Sequence, residues 1–439
     1  MALHGTLLAA YNFSAARAIY ENGANSRKAS GLRTLKGFSV SISASKADAA
    51  PYVLARNYYG SASYAHDFVA AALEGSGDFA NRSAVMRQEC ANKGAAYGNS
   101  WMYVVLELYD ALDNCAEGDV AEAMQHWDEA WAFYAGSLEG PYGLGDGVQP
   151  YSLAEKRCAN FATCTGPDRV SGTSKVNHQL LRLYQSGLAL LAEGQCPAAR
   201  AKAEAIVAQM AVPLVQGMLR YAWKADPRLS ASGPKEVAEG WAFARGILPQ
   251  VHACSPAAAA LIRRNMDIAA AAPMVDGFRA VQSAVQSVYT CMNITCGDVG
   301  VLLNGTSYIA GCGDPLAGYY PQTDISEHAR IDLDQYAFAA RALPLRLFFS
   351  SFLILFSLSP LPSFAWPCKL FIDCNAGIAS STSLLSSPFA YLPNGAGMSM
   401  YTSLVPALRS SPPPPDPNNC PWGLLLTRPG GICGWGNYG

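Results

Sequence analysis

EAWAFYAGSL, residues 129–138, returns as EGWAFARGIL at residues 239–248, with six of ten letters kept and an offset of 110 residues. Both phrases read as helix at about 100° per residue. On that geometry Trp127, Trp131, Tyr134 and Leu138 make one apolar stripe, and His126, Glu129, Phe133 and Gly136 make a second face. In the later copy Val237, Trp241 and Leu248 form the stripe, and Glu236, Glu239, Phe243 and Gly246 form the second face. The stripes are core positions. A solvated face has no need for a repeated phenylalanine and glycine. Glycine inside a helix costs about 1 kcal/mol against alanine, so its repetition indicates close approach of another helix. Glu129 and Glu239 are therefore expected to point into packed protein, where a carboxylate must be paired or hold a cation.

Outward from this phrase the chain reads as all-α. Helical patterns cover Ser45–Leu73, Ser83–Asn114 with interruptions near Gly94 and Gly98, and Val120–Leu138, which stops at the glycine-rich GPYGLGDG. The pattern restarts over Asn177–Glu193, Pro197–Asp226 and Lys235–Val251, with further helices at Ala257–Ala271 and Val275–Tyr289. Each half thus has a moderate helix, a long helix and the Trp-Ala-Phe helix. Such units bury their apolar faces against each other. The expected organisation is an N-terminal helix and loop (1–44), a first helical repeat (45–165), a second (175–290), a Cys/Gly/Asp-rich irregular lobe (291–340) and a low-complexity tail (341–439). The fold class is duplicated antiparallel helical bundle units with a cysteine-containing lobe and a largely unstructured tail. That tail carries no charge from Leu347 to Pro367, long enough to span a bilayer. It reads as a membrane anchor, a disordered tail or non-native translation.

Composition narrows the function. Only 15% of the 439 residues are charged and the formal net charge is −2, so a phosphate backbone is not an expected partner. Nine of the 13 cysteines precede residue 313, and none forms a CxxC pair. They accompany the sequons at Asn12, Asn81, Asn293 and Asn304. Cysteines in loops beside glycosylation sequons point to an oxidising, extracellular compartment. MALHGTLLAAYNF lacks a basic leader, and ARAIYENG reads like a domain interior, so the expected natural start lies upstream. No GxSxG, HExxH, phosphate loop or dinucleotide-binding GxGxxG is present, so no enzyme is expected. His252 beside Cys254 suggests a dyad on paper, but a cysteine in an oxidising compartment is more often bridged.

Metal is the chemistry best matched to the repeated face. His126-x-x-Glu129 and Glu236-x-x-Glu239 place donors one turn apart, the spacing by which helical bundles hold iron or manganese. YYGSASYAHDF at 58–68 adds Tyr64 and His66, phenolate and imidazole donors that suit ferric iron. The metal candidates are thus Glu129, Glu239, His126, Glu236, Tyr64 and His66. Asp324, Glu327, His328, Asp332 and Asp334 form another acidic group, read as a solvated loop. The competing account pairs the repeated glutamates with arginine or lysine.

IYENGANSRKASGLRTLKGFSV, YYGSASYAHDFVAAAL, HWDEAWAFYAGSLEG, YSLAEKRCANFATCTG and PQTDISEHARIDLD together resemble the algal iron-assimilating proteins, also described as low-iron-inducible or high-CO2-inducible periplasmic proteins, from about residue 15 to about residue 338. The resemblance implies a protein of the periplasm, cell-wall space or cell surface that binds iron, in some relatives with carbonate. It implies induction under iron limitation and a membrane uptake partner that receives the iron. Two alternatives remain: a helical-bundle protein that oxidises ferrous iron, and a structural wall-space glycoprotein without metal.

Overall fold

The computed structural model describes residues 1–312 apart from 29, 140–142 and 144. In chain order the helices are α1 (Ala2–Ala9), α2 (Phe13–Asn22), α3 (Leu35–Ser45), α4 (Ala50–Tyr59), α5 (Tyr64–Glu74), α6 (Ala84–Gly94), α7 (Trp101–Glu117), α8 (Val120–Ala135), α9 (Pro150–Asn160), α10 (Lys175–Ala192), α11 (Cys196–Ala225), α12 (Pro234–Cys254), α13 (Pro256–Met266), α14 (Phe278–Gln286) and α15 (Cys296–Val299). Two short antiparallel ribbons complete the described residues: β1 (Arg27–Lys28) with β2 (Gly31–Leu32), and β3 (Leu302–Asn304) with β4 (Ser307–Ala310). The expected all-α class holds. The acidic group from Asp324 to Asp334 and the tail from residue 341 lie outside the described residues, as does the lobe beyond Cys312. Among the described residues no helix is long and apolar enough to cross a membrane.

Local chemistry sets the breaks. Gly60 takes φ 70 and divides the expected Ser45–Leu73 segment into α4 and α5. The interruption expected near Gly94 and Gly98 is a π-helical stretch, Ala95–Ser100, which joins α6 to α7 without a turn. Gly118, in the left-handed conformation at φ 85, stops α7, and Asp119 caps α8 by accepting from the Glu122 N–H. A link this short makes α7 and α8 an antiparallel hairpin.

The repeated phrase needs one correction. Gly136 is not inside a helix: at φ 80 it ends α8, so Leu138 leaves the stripe and is 51% exposed. Gly246 stays within α12, where an added Cβ would lie 3.0 Å from Leu214 Cδ1 on α11. One copy spends the shared glycine on a stop, the other on close packing. Of the remaining stripe residues, Trp131 and Val237 are half-buried against the core and the others belong to it. Trp127, Tyr134, Trp241 and Leu248 are all buried. The Trp127 indole N–H donates to the Tyr184 carbonyl at 2.9 Å, and the Tyr134 hydroxyl donates to Asn177 Oδ1 at 2.5 Å.

α8 packs on α7 and on α10, while α12 packs on α11, α6 and α4. The two halves therefore share one apolar core. Of the nine cysteines through residue 312, eight are bridged: Cys115–Cys196, Cys158–Cys164, Cys254–Cys291 and Cys296–Cys312. Cys90 is a buried thiol. Cys254 is thus unavailable for a dyad with His252. All four sequon asparagines are exposed, and Asn12 also caps α2 by accepting from the Ala15 N–H.

Cys115–Cys196 ties the end of α7 to the start of α11 across a sequence separation of 81. Closing so long a loop restricts the unfolded chain, by about 4.5 kcal/mol in the chain-entropy treatment. Replacing both cysteines by serine is expected to lower the unfolding free energy by about 3–4 kcal/mol, read from the guanidinium midpoint. An unchanged midpoint contradicts this role.

Candidate metal centre

The α7–α8 hairpin brings acidic and imidazole side chains into register. Counting from Gly118, Glu107 lies eleven residues before the turn and Glu129 eleven after, while Asp110 and His126 lie eight before and eight after. Glu107 is only 3% exposed. Its Oε2 sits 2.7 Å from His126 Nδ1. One donor atom each from Glu107, Asp110 and His126 fall within 4.8 Å of one another.

The electrostatics around these three side chains are acidic. The hydrogen bond to Glu107 holds the His126 imidazole above its ordinary pKa. Burial, followed by repulsion from Glu107, raises the Glu129 carboxyl above the usual carboxylate range. Burial and the hydrogen-bonded Glu107 likewise raise the Tyr103 phenol. Two permanent cations border the group. Arg33 Nη2 is 3.8 Å from Glu129 Oε2, beyond hydrogen-bond distance. Lys46 Nζ divides itself between Asp110 at 2.9 Å and Asp113 at 2.7 Å. Three carboxylates thus share one distant guanidinium and part of one ammonium.

Glu239 has a different environment. It is 6% exposed on α12, and Lys93 Nζ of α6 lies 2.6 Å from its Oε1 and 2.5 Å from Glu89 Oε2. Against the opposing effect of burial, the two carboxylates hold the Lys93 ammonium above its usual range, and Lys93 holds the Glu239 carboxyl below its own. This buried carboxylate is met by an ammonium. Glu236 is half-buried in the first turn of α12, where a carboxylate favours the helix dipole.

Tyr64 and His66 both lie on α5 but engage different partners. The Tyr64 ring stacks on Tyr59 with centroids 5.2 Å apart, and burial pushes its phenol pKa up. His66 Nδ1 is 3.1 Å from the Tyr20 hydroxyl, which accepts from Asn99 Nδ2 at 3.0 Å. Of the six expected donors, the structure brings His126 and Glu129 toward one cluster. Glu239 joins another, and Tyr64, His66 and Glu236 join neither.

Glu107 and Asp110 were missed in the sequence. The available signal was a lone acid inside the apolar run WMYVVLEL, residues 101–108. Glu139 is a further buried carboxylate, 5% exposed, with Oε1 lacking a hydrogen-bond partner among the described residues. Burial, reinforced by Glu155, raises its pKa to about 7.

Removing one member of a buried ion pair strands the other. Lys93→Met leaves Glu239 without its ammonium and Glu89 with only Lys235, 3.7 Å away, and is expected to cost about 3–5 kcal/mol in denaturant unfolding; a cost below about 1 kcal/mol contradicts the pairing. Glu139 titrates with the opposite sign. Its folded pKa exceeds its unfolded value, so it weakens the fold as pH rises from about 4.5 through about 7. Glu139→Gln should therefore stabilise the protein by about 1–3 kcal/mol at pH 8 and by little near pH 4.5. Equal effects at both values would contradict the assignment.

No curated protein and no solved structure matches the chain. A protein-family model described as low iron-inducible periplasmic protein matches residues 4–337. That match covers most of the sequence, agrees with the bridged cysteines and places the protein in the periplasm. The chain belongs to the low iron-inducible periplasmic protein family.

Proposed function

We propose that this periplasmic protein assists iron assimilation by binding iron directly between α7 and α8, with Glu107, Asp110 and His126 as ligands. The observation that carries the proposal is the convergence of three donor atoms within 4.8 Å, one of them from a carboxylate that is 3% exposed. Carboxylate and imidazole donors suit iron, and a family described as low iron-inducible supports iron as the cargo. Glu129 stands one turn from His126 on the same helix and supplies further negative charge. Lys46 must yield part of its hold on Asp110 when a cation arrives. His126 must be neutral to ligate, so iron displaces the proton that Glu107 helps it retain. Affinity therefore falls on acidification, beginning above the pH at which an ordinary imidazole protonates. Ferrous-iron oxidation is not favoured by any specific contact, and Glu239 follows the structural account through Lys93.

Equilibrium dialysis against ferric iron held as a weak chelate tests the proposal. Glu107→Gln and His126→Ala should each weaken binding by at least about tenfold, since even outer-shell partners of metal ligands are worth 10–100-fold. Glu239→Gln should leave iron binding unchanged. Absence of binding by the wild-type protein, or full retention by Glu107→Gln, sinks the assignment.

A further inference from the structure

A cavity of about 50 Å³ lies between α4, α5, α12 and the π-helical stretch Ala95–Ser100. One water needs about 10–15 Å³ on this measure, so the space holds about four atoms of water size. Short π-helical turns of this kind are frequent at functional sites. Tyr59, Tyr64, Phe68, Tyr97 and Trp101 give the cavity aromatic walls, and no carboxylate lines it. Burial pushes the phenols of Tyr59, Tyr64 and Tyr97 up, so they stay neutral. Arg245 is therefore the one charged group in the lining. Its guanidinium carbon lies 4.2 Å from the ring centroids of both Tyr59 and Phe68. Contacts of this kind engage the face of the guanidinium and leave its in-plane N–H donors free. Those donors make no hydrogen bond and no ion pair among the described residues. The Tyr59 hydroxyl donates to the Arg245 carbonyl at 2.6 Å, which fixes this turn of α12 against α4. Trp101 is 5% exposed, and its indole N–H is buried without a hydrogen-bond partner among the described residues. A cavity this small brings both donors to bear on the same few atoms. Neither group can accept a hydrogen bond, so the matching occupant is an acceptor, and beside a lone cation it is an anion.

We propose that this cavity binds a short monocarboxylate of acetate size, its carboxylate held by Arg245 and the Trp101 indole N–H and its methyl group set against the aromatic walls. The guanidinium edge matches a carboxylate in geometry and charge, which an uncharged amide cannot reproduce. A methyl group loses nothing against aromatic carbon, whereas a hydroxyl in its place needs a hydrogen-bond partner there. None of the lining residues is Glu107, Asp110 or His126, so the site stands or falls independently of the metal centre.

The test follows the tryptophan indole N–H resonances of the full, iron-free, nitrogen-15-labelled chain during titration with acetate, acetamide and bicarbonate at constant ionic strength. Trp101→Phe identifies the Trp101 signal by its loss. Acetate should move that signal and should bind at least about tenfold more tightly than acetamide, the factor that a charge-assisted hydrogen bond supplies. It should also bind more tightly than bicarbonate. Arg245→Met should abolish the preference for acetate over acetamide, and Arg245→Lys should keep part of it. In Trp101→Phe, acetate binding can be read from Trp241, whose ring lies 5.7 Å from the Arg245 guanidinium. It should be weaker by about fivefold, the worth of one neutral hydrogen bond. An unmoved Trp101 signal up to about 100 mM acetate, well above the millimolar range open to so small a ligand, overturns the proposal. So does equal binding of acetate and acetamide, bicarbonate binding as tightly as acetate, or a preference that survives Arg245→Met. Should a variant fail to fold, the wild-type comparison of the three compounds decides it alone.

Discussion

A carboxylate that folding removes from water must meet a positive or hydrogen-bonding partner, and the α7–α8 hairpin is arranged around that requirement. Glu107 lies on the buried face of α7 among Val104, Leu108 and Ala111. Its partner arrives from α8, as His126, because a two-residue link at Gly118 and Asp119 sets the register of the pair. Had the link been one residue longer, the imidazole would face a different turn of α7. The charge surplus follows from the same geometry. Asp110 and Glu129 are carried to the same levels of the hairpin, and Arg33 and Lys46 offset them only in part.

The two Trp-Ala-Phe helices show how one phrase serves two settings. Both keep the phenylalanine buried, and the tryptophan is buried in the second, as Trp241, and half-buried in the first, as Trp131. Both turn their glutamate away from open water, and each glutamate meets a cation supplied by a helix or loop outside its own hairpin. For Glu239 that cation is Lys93, close enough to hydrogen-bond. For Glu129 it is Arg33, held 3.8 Å away. The difference matters chemically. The charge of the Glu239 carboxylate is offset by an ammonium in contact, whereas Glu129 faces a distant guanidinium beside two other acids.

Much of the fold was legible because it rests on periodicity. The helical stripes, the break near Gly94 and the inward-facing glutamates are local patterns, and each has its counterpart in the structure. What was not legible depends on which elements meet. Gly136 and Gly246 occupy the same place in the phrase, yet only backbone context makes the first a stop at φ 80. The pairing of His126 with Glu107 rather than with a second copy of the phrase is a matter of hairpin register across 19 residues. Lys93 could not be assigned to Glu239 without knowing that α6 lies against α12. Tyr64 and His66 share a helix but face separate neighbours, Tyr59 and Tyr20.

Anomalous X-ray scattering at the iron edge, from crystals of the protein loaded with ferric iron, tests the central claim most directly. The account predicts one strong peak between α7 and α8, within bonding distance of a Glu107 carboxylate oxygen and a His126 ring nitrogen. A peak elsewhere, beside Tyr64 or His66 for example, or no ordered peak in crystals whose protein binds iron in solution, would contradict it.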